Sequence, residues 1–220
     1  MLKDVKIYCL TGPANVGKGT LLGEAEKKFG DSFTVIGTGA MFRKEIELGT
    51  AFGKEIKQYM DDGLLVPDGL ICSKIVDIIK AAAGKGKKKI ILDGFPRTPK
   101  QVGAMLQNGI VPNRVIELTL PDEVLVERGS DRECCVSCGE TYTIVNEFKR
   151  TAVKGVCDKC GGKVVRRADD EPDKVRKRLE SYRVDTCPMF EEFEKANIEV
   201  VVIDNNRADA KEKFFEALDF

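Results

Sequence analysis

Histidine is absent from the chain. That absence removes the Ser-His-Asp triad, the Cys-His dyad, imidazole acid-base catalysis and every histidine metal ligand. Phosphoryl transfer survives the exclusion, because it rests mainly on positioning and on cations around the transferring group. Net charge is absent as well. Lys plus Arg and Asp plus Glu number 36 each, so no global field steers the chain onto nucleic acid or anionic lipid, and a basic site has to be local. No apolar run approaches the roughly 20 residues of a membrane span. The start, Met1-Leu2-Lys3-Asp4-Val5-Lys6, lacks the long apolar core and small-residue cleavage site of a secretory signal. A cytoplasmic chain with neither membrane nor nucleic acid among its partners is expected.

What is present fits a folded globular protein: 220 residues, 42% hydrophobic and 33% charged, enough for one main domain with an insertion or two. Five of the 8 cysteines, Cys134, Cys135, Cys138, Cys157 and Cys160, crowd into one segment. A disulfide framework would spread them, so metal binding is expected instead. Cys9, Cys72 and Cys187 lie in apolar contexts and read as small core residues.

The apolar pattern alternates between short buried strands and helical stretches. Strands are expected at Val5 to Leu10, Phe33 to Ile36, Lys89 to Leu92, Arg114 to Leu120 and Glu199 to Ile203. Helices are expected at Thr20 to Phe29, Met41 to Leu48, Gly53 to Asp62, Gly69 to Ala83, Lys100 to Gln107, Asp122 to Arg128 and Asp209 to Leu218, with one long charged helix at Asp173 to Ala196. The alternation is that of an α/β protein with a doubly wound parallel sheet. It breaks at Asp131, where cysteine pairs, Gly-rich turns and β-type runs such as Thr141 to Val145 suggest a small zinc-ribbon insertion. The run Lys85-Gly86-Lys87-Lys88-Lys89 follows a helix stop and precedes a strand, so it reads as a solvated connector rather than a nucleic-acid patch.

Gly12-Pro13-Ala14-Asn15-Val16-Gly17-Lys18-Gly19-Thr20 supplies Gly-x4-Gly-Lys between an expected strand and an expected helix. Its backbone N–H groups and the helix N-terminus would cradle phosphates. Lys18 would reach the β and γ oxygens and the Thr20 hydroxyl would lie near Mg2+. The alternative is an ordinary Gly-rich turn. Cys135-Val136-Ser137-Cys138 and Cys157-Asp158-Lys159-Cys160 form two CxxC knuckles with the spacing of a four-cysteine zinc site. Four protein ligands leave no open position, so Zn2+ at Cys135, Cys138, Cys157 and Cys160 would be structural. An iron–sulfur cluster or two redox dithiols are the alternatives, and Cys134 is the spare sulfur.

The ending Gly-Lys-Gly-Thr resembles the adenylate kinase branch of the nucleoside monophosphate kinases. The resemblance extends through Ile36-Gly37-Thr38-Gly39-Ala40-Met41-Phe42-Arg43 and Asp93-Gly94-Phe95-Pro96-Arg97-Thr98 with Gln101. It implies ATP on Asn15, Val16, Gly17, Lys18, Gly19, Thr20, Arg128, Arg132, Thr141, Tyr142 and, through a closing loop, Asn206. It implies AMP on Thr38, Arg43, Leu64, Leu65, Val66, Gly94, Phe95, Pro96, Arg97, Gln101, Arg167 and Arg178. Lys18, Arg97, Arg128, Arg132, Arg167 and Arg178 would form the cationic cage, and Asp93 would hold magnesium through water, although a strand-end turn Asp is the bland alternative. Asp169 and Asp170 would either hold those arginines or simply place charge at a helix N-terminus.

The implied fold is a P-loop three-layer core with a parallel sheet, residues 1 to 130 and 169 to 220. A helical AMP-binding insertion, 37 to 66, and a small β zinc-binding lid, 131 to 168, interrupt it. The implied reaction is ATP + AMP ⇌ 2 ADP by a monomer. A GTP donor, a CMP or UMP acceptor, or a zinc-ribbon nucleotide-binding switch are the rivals. Two positions depart from the family pattern: Asn15 stands where a loop Gly is usual, and Ala40 where Asp is common.

Overall fold

The computed structural model describes residues 4–143, 150–167 and 170–220. Along the chain run β1 (Lys6–Thr11), α1 (Lys18–Phe29), β2 (Thr34–Gly37), α2 (Thr38–Glu47), α3 (Ala51–Asp61), α4 (Asp68–Gly84), β3 (Lys89–Asp93), α5 (Pro99–Gln107) and β4 (Arg114–Thr119). They are followed by α6 (Asp122–Asp131), β5 (Arg132–Cys135), β6 (Thr141–Thr143), β7 (Val164–Arg166), α7 (Pro172–Ser181), α8 (Met189–Lys195), β8 (Val200–Asp204) and α9 (Ala210–Ala217). Of the expected run Thr141 to Val145, Ile144 and Val145 lie outside the described residues, as do Ala168 and Asp169.

Five strands form one sheet in the order β2-β3-β1-β4-β8, and every neighbouring pair is parallel. Alternating side chains of β1 serve opposite faces, as strand geometry requires. Ile7 and Cys9 enter a core with Ile75 and Ile79 of α4, Val102 and Met105 of α5 and Phe193 of α8. Tyr8 and Leu10 enter a second core with Leu21 and Leu22 of α1, Leu179 of α7 and Phe214 of α9. Helices on both faces bury the strand from Ile7 to Thr11, so β1 reads as a near-continuous apolar run rather than an alternation. No helix among the described residues is long and apolar enough to cross a membrane.

One expected element differs. The long helix at Asp173 to Ala196 is interrupted by a wide π turn, Tyr182–Thr186, in which Cys187 N donates to Tyr182 O at 2.9 Å. Pro188 follows it, has no N–H to give, and separates α7 from α8. A three-stranded antiparallel sheet, β6-β5-β7, accounts for the second sheet.

Helices α2 and α3 meet at a corner capped by Thr50, whose hydroxyl oxygen accepts from Gly53 N at 2.9 Å and whose O–H donates to Glu45 Oε2 at 2.6 Å. A Cβ on Gly53 would lie 2.1 Å from the Glu45 carbonyl oxygen, so this corner closes only with glycine there. Gly53→Ala is expected to lower the melting temperature by roughly 4–8 °C, the effect of overpacking a close backbone approach. An unchanged thermal transition by circular dichroism would show that the corner opens without cost.

Candidate active site

The loop from Gly12 to Gly17 leaves β1 at its C-terminal end and enters α1. Asn15 (φ 65°) and Gly17 (φ 102°) are both left-handed, and Asn is the non-glycine residue that tolerates this best. No side chain caps α1, and the positive end of its dipole faces the loop, where it attracts an anion. Lys18 folds back over the loop and donates to Gly12 O at 2.7 Å and Pro13 O at 2.9 Å. Desolvation, with Arg97, Arg178 and Arg132 adding to it against Asp93, pushes the Lys18 ammonium down to about 7.

The loop floors a cavity of about 690 Å3. Asn15, Val16, Gly17, Lys18, Gly19, Thr20, Arg43, Leu65, Asp93, Gly94, Arg97, Arg128, Arg132, Thr141, Arg167 and Arg178 line it, as does Ala40. These residues converge from eight separate segments of the chain. Arg132 forks onto the carboxylate of Asp170, with Nε 2.9 Å from Oδ2 and a terminal nitrogen 2.5 Å from Oδ1. Arg178 lies 3.6 Å from Oδ1 of the same carboxylate. Asp170 is fully buried and holds two arginines of the wall by a charge-assisted, partly bidentate contact. Arg167 Nε is buried with no hydrogen-bond partner among the described residues.

The opposite wall is built by β3 and the turn after it. Thr38 Oγ1 donates to Gly94 O at 2.9 Å, and Arg97 Nε donates to the same oxygen at 2.9 Å. Gln101 is buried beneath them: its Oε1 accepts from Arg97 N at 2.7 Å and its Nε2 donates to Asp68 Oδ1 at 2.7 Å. Thr98 Oγ1 donates to the other Asp68 oxygen at 3.0 Å. Each Gln101 amide atom keeps one further hydrogen-bonding site. Thr38, Val66, Phe95, Pro96 and Gln101 are buried behind the lining rather than in it, and Leu64 is exposed outside it.

The four sulfurs of Cys135, Cys138, Cys157 and Cys160 lie within 4.8 Å of one another, with Cys135 to Cys160 and Cys138 to Cys157 at 3.5 Å. A zinc tetrahedron with bonds of about 2.3 Å places sulfurs roughly 3.8 Å apart, so the set fits Zn2+. The two knuckles are alike: Gly139 N donates to Cys135 O and Gly161 N to Cys157 O. Desolvation opposes ionisation of Cys157, yet the Tyr142 hydroxyl and the backbone N–H groups of Cys160 and Lys159 hold it at about 6. Tyr142 accepts from Asp158 N at 2.9 Å and lies 3.2 Å from Cys157 Sγ. It therefore faces the cysteines, while Thr141 and Thr143, its neighbours on β6, face the cavity. Cys134 lies outside the cluster, 3.9 Å from Thr141 Oγ1.

The sequence reading gave Asn206 a place in the closing loop that meets adenine through its backbone, and it did not name the neighbouring Asn205. Asn205 follows directly on β8, lines the cavity and donates from Nδ2 to Val16 O at 2.6 Å. Asn206 is exposed and donates its backbone N–H to Asp204 Oδ1. The signal was the strand end at Asp204, one residue beyond the expected one. Tyr182 was missed too: it lines the cavity and donates to Glu117 Oε1 at 2.6 Å, where burial pushes the Glu117 carboxyl up against that hydrogen bond.

A family model described as Adenylate kinase matches residues 10–198. Proteins named Adenylate kinase are similar over most of the chain. The one from Agathobacter rectalis is 41% identical over 198 residues, 88% of this chain and 89% of its own. That from Clostridioides difficile is 38% identical over 211 residues, 94% of each. That from Caldicellulosiruptor bescii is 35% identical over 216 residues, 95% of this chain and 97% of its own.

The cysteine geometry carries its own test. Elemental analysis of the purified chain is expected to find one zinc per cysteine cluster, and chelation is expected to lower the melting temperature because metal binding is folding energy for so small a unit. Cys157→Ser should lose the metal and reproduce the shift. A chain that keeps its melting temperature after complete metal removal would refute the structural role.

Proposed function

Because the chain belongs to the adenylate kinase family, we propose that it catalyses the reversible, magnesium-dependent transfer ATP + AMP ⇌ 2 ADP, acting as a cytoplasmic monomer. The observation that carries the reading is the convergence of Lys18, Arg43, Arg97, Arg128, Arg132, Arg167 and Arg178 on one cleft floored by the phosphate loop. ATP is assigned to the loop side and AMP to the Thr38–Arg43 and Gly94–Gln101 side. Residues 131 to 168 form the lid, residues 37 to 66 the AMP-binding insertion, and the rest the core.

The loop N–H groups and the α1 N-terminus hold the donor phosphates, and Arg43 and Arg97 hold the acceptor phosphate in line with them. Fixing both reactants converts a bimolecular step into a unimolecular one. As the terminal phosphoryl group moves, its equatorial oxygens carry spread negative charge, which Lys18 and the arginines stabilise from preset positions. The AMP phosphate oxygen is already ionised, so no general base is needed and the absence of histidine costs nothing. Thr20 and Asp93 offer the hard oxygen donors that suit Mg2+, held directly or through water. That ion supplies charge neutralisation across the donor phosphates. Closure of the lid, which carries Arg132 and Arg167, over ATP excludes water and with it hydrolysis. Gln101 and Thr38 read adenine through the hydrogen-bonding sites their internal contacts leave over.

ADP formation measured by chromatography, with ATP and GTP crossed against AMP, CMP and UMP, is expected to be fast for ATP with AMP alone. Transfer to CMP or UMP at a matching rate would make the chain another monophosphate kinase, and no transfer with any pair would end the reading. Proton linkage supplies a second test. Lys18 at about 7 is largely neutral at pH 8, and donor phosphates beside it favour its charged form. ATP binding at pH 8 is therefore expected to take up close to one proton, and at pH 6, where Lys18 already carries it, that uptake vanishes. Calorimetry in buffers of different ionisation heat reads the difference, and Lys18→Met should abolish the pH 8 uptake. Equal uptake by the variant would place the proton elsewhere.

A further inference from the structure

The side chain of Asn15 turns away from the cavity floor and crosses to α6. Its Nδ2 donates to Leu125 O at 3.1 Å, across 110 residues of sequence. The residue is 9% exposed, left-handed at φ 65°, and its Oδ1 is buried with no hydrogen-bond partner among the described residues. Left-handed backbone and an unmet acceptor both work against stability, so the contact they accompany needs a reason. The receiving surface supplies one. A Cβ at Gly129 would lie 2.4 Å from Asn15 Nδ2 and 2.9 Å from Val175 Cγ2. Gly129 stands between Arg128 and Arg132, in the last turn of α6, where the chain passes straight into β5.

We propose that Asn15 is a positioning residue that ties the phosphate loop to the last turn of α6, and that Gly129 is the socket that admits it. The side chain that fills this gap comes from the loop rather than from the helix. Arg128 and Arg132 leave the same turn, so the tie sets where they stand relative to phosphates on the loop. Arg128 lies on the loop already: its guanidinium is 3.7 Å from where a Cβ on Gly17 would be. On the far side, Asn205 holds Val16 O. The loop is thus clamped from two elements, and the Asn15 clamp reaches the element that leads into the lid. The inference rests on the donor occupying the loop side, as proposed above.

Steady-state kinetics of the full chain, varying ATP and AMP separately, test it with Asn15→Gly, Asn15→Asp, Gly129→Ala and the double variant Asn15→Gly/Gly129→Ala, each with its melting temperature. Asn15→Gly keeps the left-handed turn but loses the tie. It is expected to raise KM for ATP about three- to tenfold, the weight of one neutral hydrogen bond, while KM for AMP stays within about twofold. Asn15→Asp sets an acceptor against the Leu125 carbonyl and should shift KM for ATP the same way. Gly129→Ala alone should be the more damaging change, and Asn15→Gly should relieve it by emptying the socket. An unchanged KM for ATP in Asn15→Gly, an equal rise in both KM values, or a Gly129→Ala defect that is the same in both backgrounds would overturn the proposal. Wild-type transfer in the same assay separates that failure from failure of the kinase reading.

Discussion

Crowding of like charge is the constraint on which the rest of the structure depends. Seven cations, Lys18, Arg43, Arg97, Arg128, Arg132, Arg167 and Arg178, face one cavity, against Asp93 and Asp131 in the same lining. Two unit charges 4 Å apart repel by about 1 kcal/mol in water and about 4 kcal/mol at the effective dielectric of a protein surface. Such a set stays together only if its members are anchored from behind. Asp170 does this for Arg132 and Arg178 from a fully buried position, and carbonyl oxygens do it for Lys18 and Arg97. The same repulsion makes the cavity selective for dense negative charge, since polyphosphate relieves what solvent otherwise screens.

The parallel sheet makes this anchoring possible. Strands β1, β3 and β8 all end at one edge, and each ends in a site segment: the phosphate loop after Thr11, Asp93 and Gly94, and Asn205. An antiparallel sheet would send alternate strand ends to the far side. Because β1 is central and buried from Ile7 to Thr11, the loop it delivers is fixed to a packed core. The arginines come from several elements: Arg43 from α2, Arg97 from the turn after β3, Arg128 from α6, Arg132 and Arg167 from the small sheet and its exit, and Arg178 from α7.

The sheet and most helices were legible because their signals are local: apolar runs of strand length, Gly stops and helical periodicity. The phosphate loop, the two knuckles and the convergent arginines were legible as motifs. What was not legible depended on contacts far apart in sequence or on a single residue of register. The break after Ser181 leaves apolar periodicity nearly intact, so only Pro188 hinted at it. Asn205 went unnamed because the strand runs one residue further than its apolar letters. Asp68, which orients Gln101 from 33 residues away, and the meeting of Asn15 with α6 had no local trace at all.

The small sheet shows why the cysteines are needed. Its buried apolar cluster among the described residues consists of Cys135, Tyr142, Cys157 and Val164, and strands of three or four residues are too short to hold register by ladder bonds alone. Two of those four residues are themselves sulfur donors, so without a metal the unit has almost no core, and with one its ligands become the core. Alternation along β6 then extends the consequence to the site. Tyr142 is fixed against Cys157, which turns Thr141 and Thr143 toward the cavity, and β5 carries Arg132 at its first position. A metal held by these sulfurs would therefore shape one wall of the cavity, which Cys138 helps to line, as well as stabilise the small sheet.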